Sequence, residues 1–419
     1  MKKQYSNIRG TSDFDAPQSF IFQKINQKAR DIFKVFGYDE LMLPILEEKD
    51  LFIKGVGETT DIVEKQMFKI EDKDIVLRPE GTAQVVRYYL QNSLYRKSNF
   101  HKFFYTGAMF RGERPQKGRL RQFHHIGAEA IGSDNFFVDA EIITLSLQIL
   151  DAVGVKNREL KINTLGCEAD KLKFANYIKK KLTAQKDGLC DDCKKRLDKN
   201  PLRVIDCKRE QCKKIVRSLD LESVEFCSNC KEEFRKLLSL LDDLGVQYTY
   251  TPYLVRGLDY YTNTVFEITS SRLGSQDAIG AGGRYNNLVK FLGGPDIPAT
   301  GFALGVERIL LVLGDLAGEE KLDLFIAVTD NSFAKDGFNI LMKLRKENIS
   351  CDYDYCGRSL KSQLRFAQKK GAKYVVIIGE QESKNNALIL KNMEESTQEV
   401  IKQSDLVSIM IDAVKKRKE

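Results

Sequence analysis

Nowhere in its 419 residues does the chain carry an apolar run near the roughly 18–20 residues that a membrane-spanning helix needs; residues 375–378 are typical of its longest stretches. No bilayer crossing is expected. The first 14 residues hold two lysines but no apolar run behind them and no small-residue cleavage site. A secretory signal is therefore not expected, and the address reads as cytoplasmic. Histidine is scarce: His101, His124 and His125 are all there is, too few for a histidine-based metal site or a nucleophile relay. There is no GxxxxGK[ST] phosphate loop and no HExxH, and the GxG fragments at Gly55/Gly57 and Gly280/Gly282 lack the third glycine of a dinucleotide fingerprint. No internal repeat or low-complexity tract occurs.

What is present is the composition of an ordinary globular protein, 42% hydrophobic and 30% charged, long enough for about two to four domains. The net charge of +8 is local, because residues 171–236 carry 19 basic against 11 acidic side chains. That balance suits an anionic partner without naming one. Nine cysteines in a reducing compartment do not make a disulfide framework, and six of them fall in this same basic segment.

Residues 17–36 place Phe20, Ile21, Ile25, Ala29, Ile32, Phe33 and Phe36 at helical spacing, with Pro17 in the first turn. A strand is predicted over 38–46, at an edge because of Pro44, and others over 102–111 and 121–131. Residues 170–244 read as a helical insertion. Strand signals return over 253–268, and a helix follows at 305–313. Beyond a junction at 318–320, strand and helix alternate (322–328, 333–347, 350–355, 359–370, 374–378, 387–390, and a helix near 405–416), a compact sheet with helices on it.

Chemistry concentrates in a few stretches. Residues 110–123, FRGERPQKGRLRQF, set four arginines, a lysine and a glutamate on a Pro/Gly turn between two apolar strands. This is either a solvated hairpin tip or a phosphate-binding one. Guanidinium suits phosphate because its planar fork holds two oxygens and stays charged. Arg111 is the candidate clamp. Arg114, Lys117, Arg119 and Arg121 reach further out, Glu113 is placed to accept from a base amino group, and Phe123 to stack on the base. LRPEGT (77–82), LVRGLDYYTNTVFE (254–267) and TGFALGVERIL (300–310) put polar groups where a plain sheet would have none.

In this order and spacing, these segments resemble the histidyl-tRNA synthetase family of class II aminoacyl-tRNA synthetases over nearly the whole chain. Residues 110–123 look like class II motif 2, GFALGVERIL like motif 3, and 36–46 sit where motif 1 forms a dimer interface. LVRGLDYY, with RGTSDF (9–14) and RPEGTA (78–83), is similar to the histidyl family in particular. The resemblance implies an α+β catalytic domain (1–318) on a mainly antiparallel six-stranded sheet flanked by helices. It also implies the helical insertion (170–244), an α/β anticodon-binding domain (322–419) and a homodimer. The implied reaction joins L-histidine and ATP into histidyl-adenylate and pyrophosphate, then passes histidine to the 3′ end of tRNA(His), with Mg²⁺ on the pyrophosphate portion of ATP. Arg111 and Arg256 would be the catalytic cations. Arg308, with Arg111, Glu113 and Phe123, would bind ATP. Glu80, Gly81 and Thr82 would hold the ammonium of histidine, and Glu129, Tyr260 and Tyr261 would line the imidazole pocket, with Arg111, Arg256 and His125 beside them. His125 departs from the family's usual glutamine, and an imidazole there is expected to titrate near neutral pH.

CxxC at Cys190/Cys193, CxxxxC at Cys207/Cys212 and CxxC at Cys227/Cys230 have the spacings of zinc ligands. Cys190, Cys193, Cys227 and Cys230 are the candidate closed structural site; reduced, partly buried thiols are the alternative. In the last domain Arg358, Lys361, Arg365 and Lys369 recur at helical spacing, followed by Lys370 and Lys373, a basic face suited to an anticodon stem. The rival reading is a catalytically silent, histidine-sensing regulatory subunit of ATP phosphoribosyltransferase on the same fold, which predicts a damaged ATP site.

Overall fold

A computed structural model describes residues 5–58, 60–274, 277–314 and 322–415. The expected junction at 318–320 and the end of the last expected helix, Lys416, lie outside them. Chain contacts group into two units, Met1–Leu316 and Ala317–Glu419.

The first unit is built on one sheet of eight strands: β1 (Asp39–Glu40), β2 (His101–Phe110), β3 (Gln122–Ile131), β4 (Glu159–Thr164), β5 (Thr249–Tyr250), β6 (Thr262–Thr269), β7 (Ala278–Arg284) and β8 (Ala299–Gly305). Their spatial order is β1-β2-β3-β8-β7-β6-β4-β5. The six inner strands pair antiparallel throughout, while β1 joins β2 and β5 joins β4 in parallel. The expected six-stranded sheet is therefore eight-stranded and mixed. The edge strand β1 falls inside the segment predicted over 38–46, whereas the two-residue β5 is too short to carry a period-two pattern.

Alternation along β3 sorts its two faces. Ile126, Ala128 and Ala130 are buried with the helices Gln18–Val35, Phe136–Ala152 and Val306–Leu313, whereas Phe123, His125 and Glu129 lie on the other face. The first of these helices buries Ile25, Ala29 and Phe33, one turn apart, and Phe33 stacks on Phe104 of β2 with ring centroids 4.3 Å apart. Each fully buried Ile or Phe contributes about 1.5–3 kcal/mol. A buried ion pair, Arg284 Nε to Asp139 Oδ2 at 2.7 Å, ties β7 to helix Phe136–Ala152. Removing either partner would cost about 3–5 kcal/mol, because the other is left charged and unpaired.

Residues 168–243 form the helical insertion, and its last helix, Ser228–Asp243, buries Leu237 and Leu241 in the same core as helix Phe136–Ala152. The strand expected over 38–46 is mostly absent: after β1 the chain runs irregularly past Pro44, and Leu46–Glu48 pairs with Ile75–Leu77 in a separate two-stranded sheet. Arg78 explains this path, since its guanidinium donates to the carbonyls of Leu43, Pro44 and Ala108 and so holds the segment against β2. Likewise the strand expected over 253–268 begins only at Thr262, and residues 253–261 are irregular.

The second unit has a five-stranded sheet, in the order Cys351–Tyr353, Leu324–Val328, Tyr374–Ile378, Ala387–Asn392, Gln398–Lys402. The last strand was not expected; it is largely exposed and lacks alternation. Lys361, Arg365 and Lys369 are exposed on helix Leu360–Lys369. Arg358 is not on that helix: it precedes the start, pairs with Asp354 at 2.9 Å and lies 4.4 Å over the Phe366 ring.

Candidate active site

The sheet face opposite the helices opens into a cavity of about 330 Å³. Glu80, Thr82, Arg111, Glu113, Phe123, His125, Glu129, Arg256, Tyr260, Tyr261 and Arg308 all line it. It has two chemically different ends.

At one end the groups are carboxylates and phenols. Glu129, 1% exposed, accepts from Thr82 Oγ1 at 2.7 Å, Tyr105 Oη at 3.3 Å and Tyr285 Oη at 2.5 Å. Burial pushes its carboxyl up to about 8 despite these bonds. Glu80 is also buried, and its carboxylate accepts from the backbone N–H groups of Thr82 and Ala83 at 2.7 and 2.9 Å, at the start of helix Thr82–Gln91. Burial outweighs those bonds and the nearby Arg111, leaving Glu80 above the ordinary carboxylate value. Tyr260 and Tyr261, with ring centroids 4.7 Å apart, complete the wall. Glycine leaves room for it: a Cβ on Gly81 would collide with the Tyr105 ring, and one on Gly301, paired with Glu129 across β8 and β3, would collide with the Glu129 carboxylate.

At the other end the groups are guanidiniums. Arg111 follows β2, donates through Nε to the Pro79 carbonyl at 2.9 Å and lies 5.2 Å over the Phe123 ring. Burial lowers its pKa, with Glu113 and Glu80 opposing. Arg256 holds Glu267 of β6 at 2.7 Å, and its Nε is buried with no hydrogen-bond partner among the described residues. Burial alone would lower its pKa, but Glu267 and Tyr261 hold it above the ordinary value. Arg308, on helix Val306–Leu313, donates to the Ala278 carbonyl. Its neighbour Glu307 also lines the cavity and binds His124, accepting from its backbone N–H at 2.9 Å and lying 2.7 Å from Nδ1. Glu113 pairs with Arg119 at 3.0 Å. Three arginines from positions 111, 256 and 308 thus reach one cavity from three separate segments of the chain.

Comparison over the whole chain identifies its relatives. The family model described as histidyl-tRNA synthetase matches residues 10–309, and one described as an anticodon binding domain matches 323–412. The histidine–tRNA ligase of Halothermothrix orenii is 44% identical over 96% of this chain and 98% of its own length. That of Aquifex aeolicus is 45% identical over 96% and 99%. The chain belongs to the histidyl-tRNA synthetase family. Among solved structures, the apo S. aureus histidyl-tRNA synthetase superposes with a TM-score of 0.80 at 33% identity, covering 97% of this chain and all of that one.

Within this histidyl-tRNA synthetase fold, His125 departs from expectation. Burial, with Arg111, Arg78 and Arg308 nearby, holds its imidazole well below the usual value, so it is neutral around pH 7 rather than titrating there. Its Nδ1 is buried without a hydrogen-bond partner among the described residues. Tyr105, Tyr285 and Glu267 line the cavity but were not singled out by sequence. Tyr105 sits in an ordinary apolar strand pattern and carries no signal. Tyr285 closes the glycine-rich 280–285 stretch and Glu267 interrupts an apolar strand, both readable marks.

The cysteines divide differently from the expected set. Cys190 and Cys193 cluster with Cys207 and Cys212, whereas Cys227 and Cys230 cluster with Cys167 and Asp170. The helix Ser228–Asp243 packs into the catalytic core, which carries its first turn away from the Cys190 region. Every cysteine is a free thiol.

Proposed function

We propose that this chain is a histidine–tRNA ligase, activating L-histidine with ATP and charging tRNA(His). The observation that carries the reading is that Arg111, Arg256 and Arg308 line one cavity with the cation-seeking carboxylates Glu80 and Glu129. A histidine carboxylate oxygen bonds to the α-phosphorus of ATP as the bond to the β,γ-pyrophosphate breaks. Negative charge gathers at the five-coordinate phosphorus, and fixed guanidiniums there need no reorganisation. Arg111 and Arg256 take that position and Arg308 holds the γ-phosphate, while Phe123 stacks on the adenine and Glu113 accepts from its amino group. Glu80 and Thr82 hold the ammonium, with Gly81 giving them room. Glu129, Tyr260 and Tyr261 present acceptors and donors to the two imidazole nitrogens. Wrong amino acids leave these buried groups unpaired.

The oxygen donor Glu267 at the phosphate end fits a hard cation, and Mg²⁺ arriving with ATP would neutralise pyrophosphate charge there. A structural zinc belongs with Cys190, Cys193, Cys207 and Cys212: all are buried, and Cys190 and Cys207 Sγ lie 3.9 Å apart. A tetrahedral site with Zn–S of about 2.3 Å has edges of about 3.8 Å. A homodimer is supported by the motif 1-like segment, where Met42 is 90% exposed and Ile45 and Leu46 are exposed beside it. The exposed Lys361, Arg365 and Lys369 suit an anticodon stem.

Labelled pyrophosphate should exchange into ATP only when histidine is present. No exchange would overturn the reading in favour of the regulatory paralogue. An intact set of arginines speaks against that rival.

A further inference from the structure

The second cysteine cluster is not accounted for by the chemistry of the cavity. Cys167 and Cys227 each stand at the start of a helix, Glu168–Thr183 and Ser228–Asp243, with extended backbone and no side-chain cap. Three residues on, one turn along, come Asp170 and Cys230. Each helix therefore offers a pair of ligands from one side, C-x₂-D from one and C-x₂-C from the other. The four ligand atoms all lie within 4.8 Å of one another. Cys167 Sγ is 3.6 Å from Asp170 Oδ2, and a tetrahedral zinc with one sulfur at about 2.3 Å and one oxygen at about 2.0 Å needs about 3.5 Å.

The surroundings are those of a metal centre. The Cys167 backbone N–H donates to Cys230 Sγ at 3.2 Å, and the Cys227 N–H donates to both Asp170 oxygens at 3.0 and 3.1 Å, so each helix orients the other's ligands. Two helix N-termini, both partly positive, meet here and favour net negative charge between them. Three thiolates and a carboxylate around a divalent cation supply that charge. Asp170 and Cys230 are buried while Cys167 and Cys227 are partly exposed, which leaves an entry path.

We propose that Cys167, Asp170, Cys227 and Cys230 hold a zinc ion of their own, clamping the first and last helices of the insertion together at its root. The clamp reaches the cavity. Lys171, the residue after Asp170, donates through Nζ to the carbonyls of Asp259 at 2.6 Å and Tyr261 at 2.7 Å. Fixing the first turn of this helix fixes the irregular chain that carries Tyr260 and Tyr261. This consequence for histidine binding rests on the function proposed above; the metal site does not.

Zinc content of the full-length protein, purified without chelator, tests the site directly. Two equivalents per chain are expected. The pair Cys227→Ser, Cys230→Ser should fall to one, and so should Cys207→Ser, Cys212→Ser. One equivalent or fewer in the unaltered chain, or an unchanged count in Cys227→Ser, Cys230→Ser, overturns the proposal. The count on the unaltered chain decides even if a variant fails to fold. Cobalt loaded into Cys207→Ser, Cys212→Ser should give a tetrahedral thiolate spectrum from the root site, and its absence also overturns the proposal. Asp170→Asn should weaken zinc binding by roughly tenfold or more and raise the KM for histidine with little change in kcat. An unchanged KM removes the link to the cavity. Loss of histidine-dependent exchange in the unaltered enzyme would end the ligase reading and leave the zinc count standing.

Discussion

The two ends of the cavity face opposite electrostatic problems. At one, Glu80 and Glu129 are buried with no ion-pair partner among the described residues, and burial raises both. At the other, Arg111, Arg256 and Arg308 converge, and burial depresses Arg111 and Arg308 while Glu267 lifts Arg256. Each end is poised for a ligand charge it does not itself contain: a cation on the carboxylate side, a polyanion on the guanidinium side. A zwitterionic amino acid lying between them, its ammonium one way and its carboxylate the other, satisfies both at once.

The sharpest way to break that contrast is at the phosphate end. Arg256→Ala should lower histidine-dependent pyrophosphate exchange by about 10²–10³-fold, chiefly in kcat, because in the proposed assignment it removes charge that acts on the developing transition state. A change confined to the KM for histidine would move Arg256 to the other end of the cavity. The carboxylate end gives a smaller effect and a pH signature. With Glu129 at about 8, the KM for histidine should fall by up to about fiftyfold between pH 6 and 8 as Glu129 loses its proton. Glu129→Gln should flatten that fall, leaving only the ionisation of histidine itself. The sign for stability is opposite. A carboxyl raised on folding binds more protons in the folded state, so the ligand-free enzyme should lose stability as pH rises from about 4.5 to 8, and Glu129→Gln should lose less of it in thermal melts. The smallest effect belongs to His125, at the boundary between the ends. Since its imidazole is already neutral, His125→Gln should retain activity within about threefold, with the same pH profile between 6 and 8. A profile that flattens in this variant would show a proton on His125 in the working enzyme.

Much of this contrast was legible in the sequence because its residues sit in compact, unusual strings. Arg111, Glu113 and Phe123 come from one charged hairpin, Glu80 and Thr82 from LRPEGT, and Arg256, Tyr260 and Tyr261 from LVRGLDYY. What stayed hidden depended on register or on long-range partnership. Tyr105 is one aromatic among several in β2, and only its pairing opposite Gly127 brings its hydroxyl to Glu129. Arg78 looked like part of the substrate motif and instead braces the 43–44 segment. The cysteine spacings marked thiols that the structure gathers into clusters, but spacing does not say which pairs meet. Asp170, separated from Cys227 by the whole insertion, had no local mark at all.

Gly301 carries a last consequence. Its missing side chain is what lets the Glu129 carboxylate lie flat against the neighbouring strand. Anyone redesigning the enzyme to accept a different amino acid would naturally randomise the residues that touch the ligand and leave this one alone. Yet a single methyl here would evict the central acceptor without touching the newcomer. Under the proposed role of Glu129 in holding the imidazole, its hydrogen atom is the least conspicuous determinant of which building block enters, and the first position that a library should hold constant.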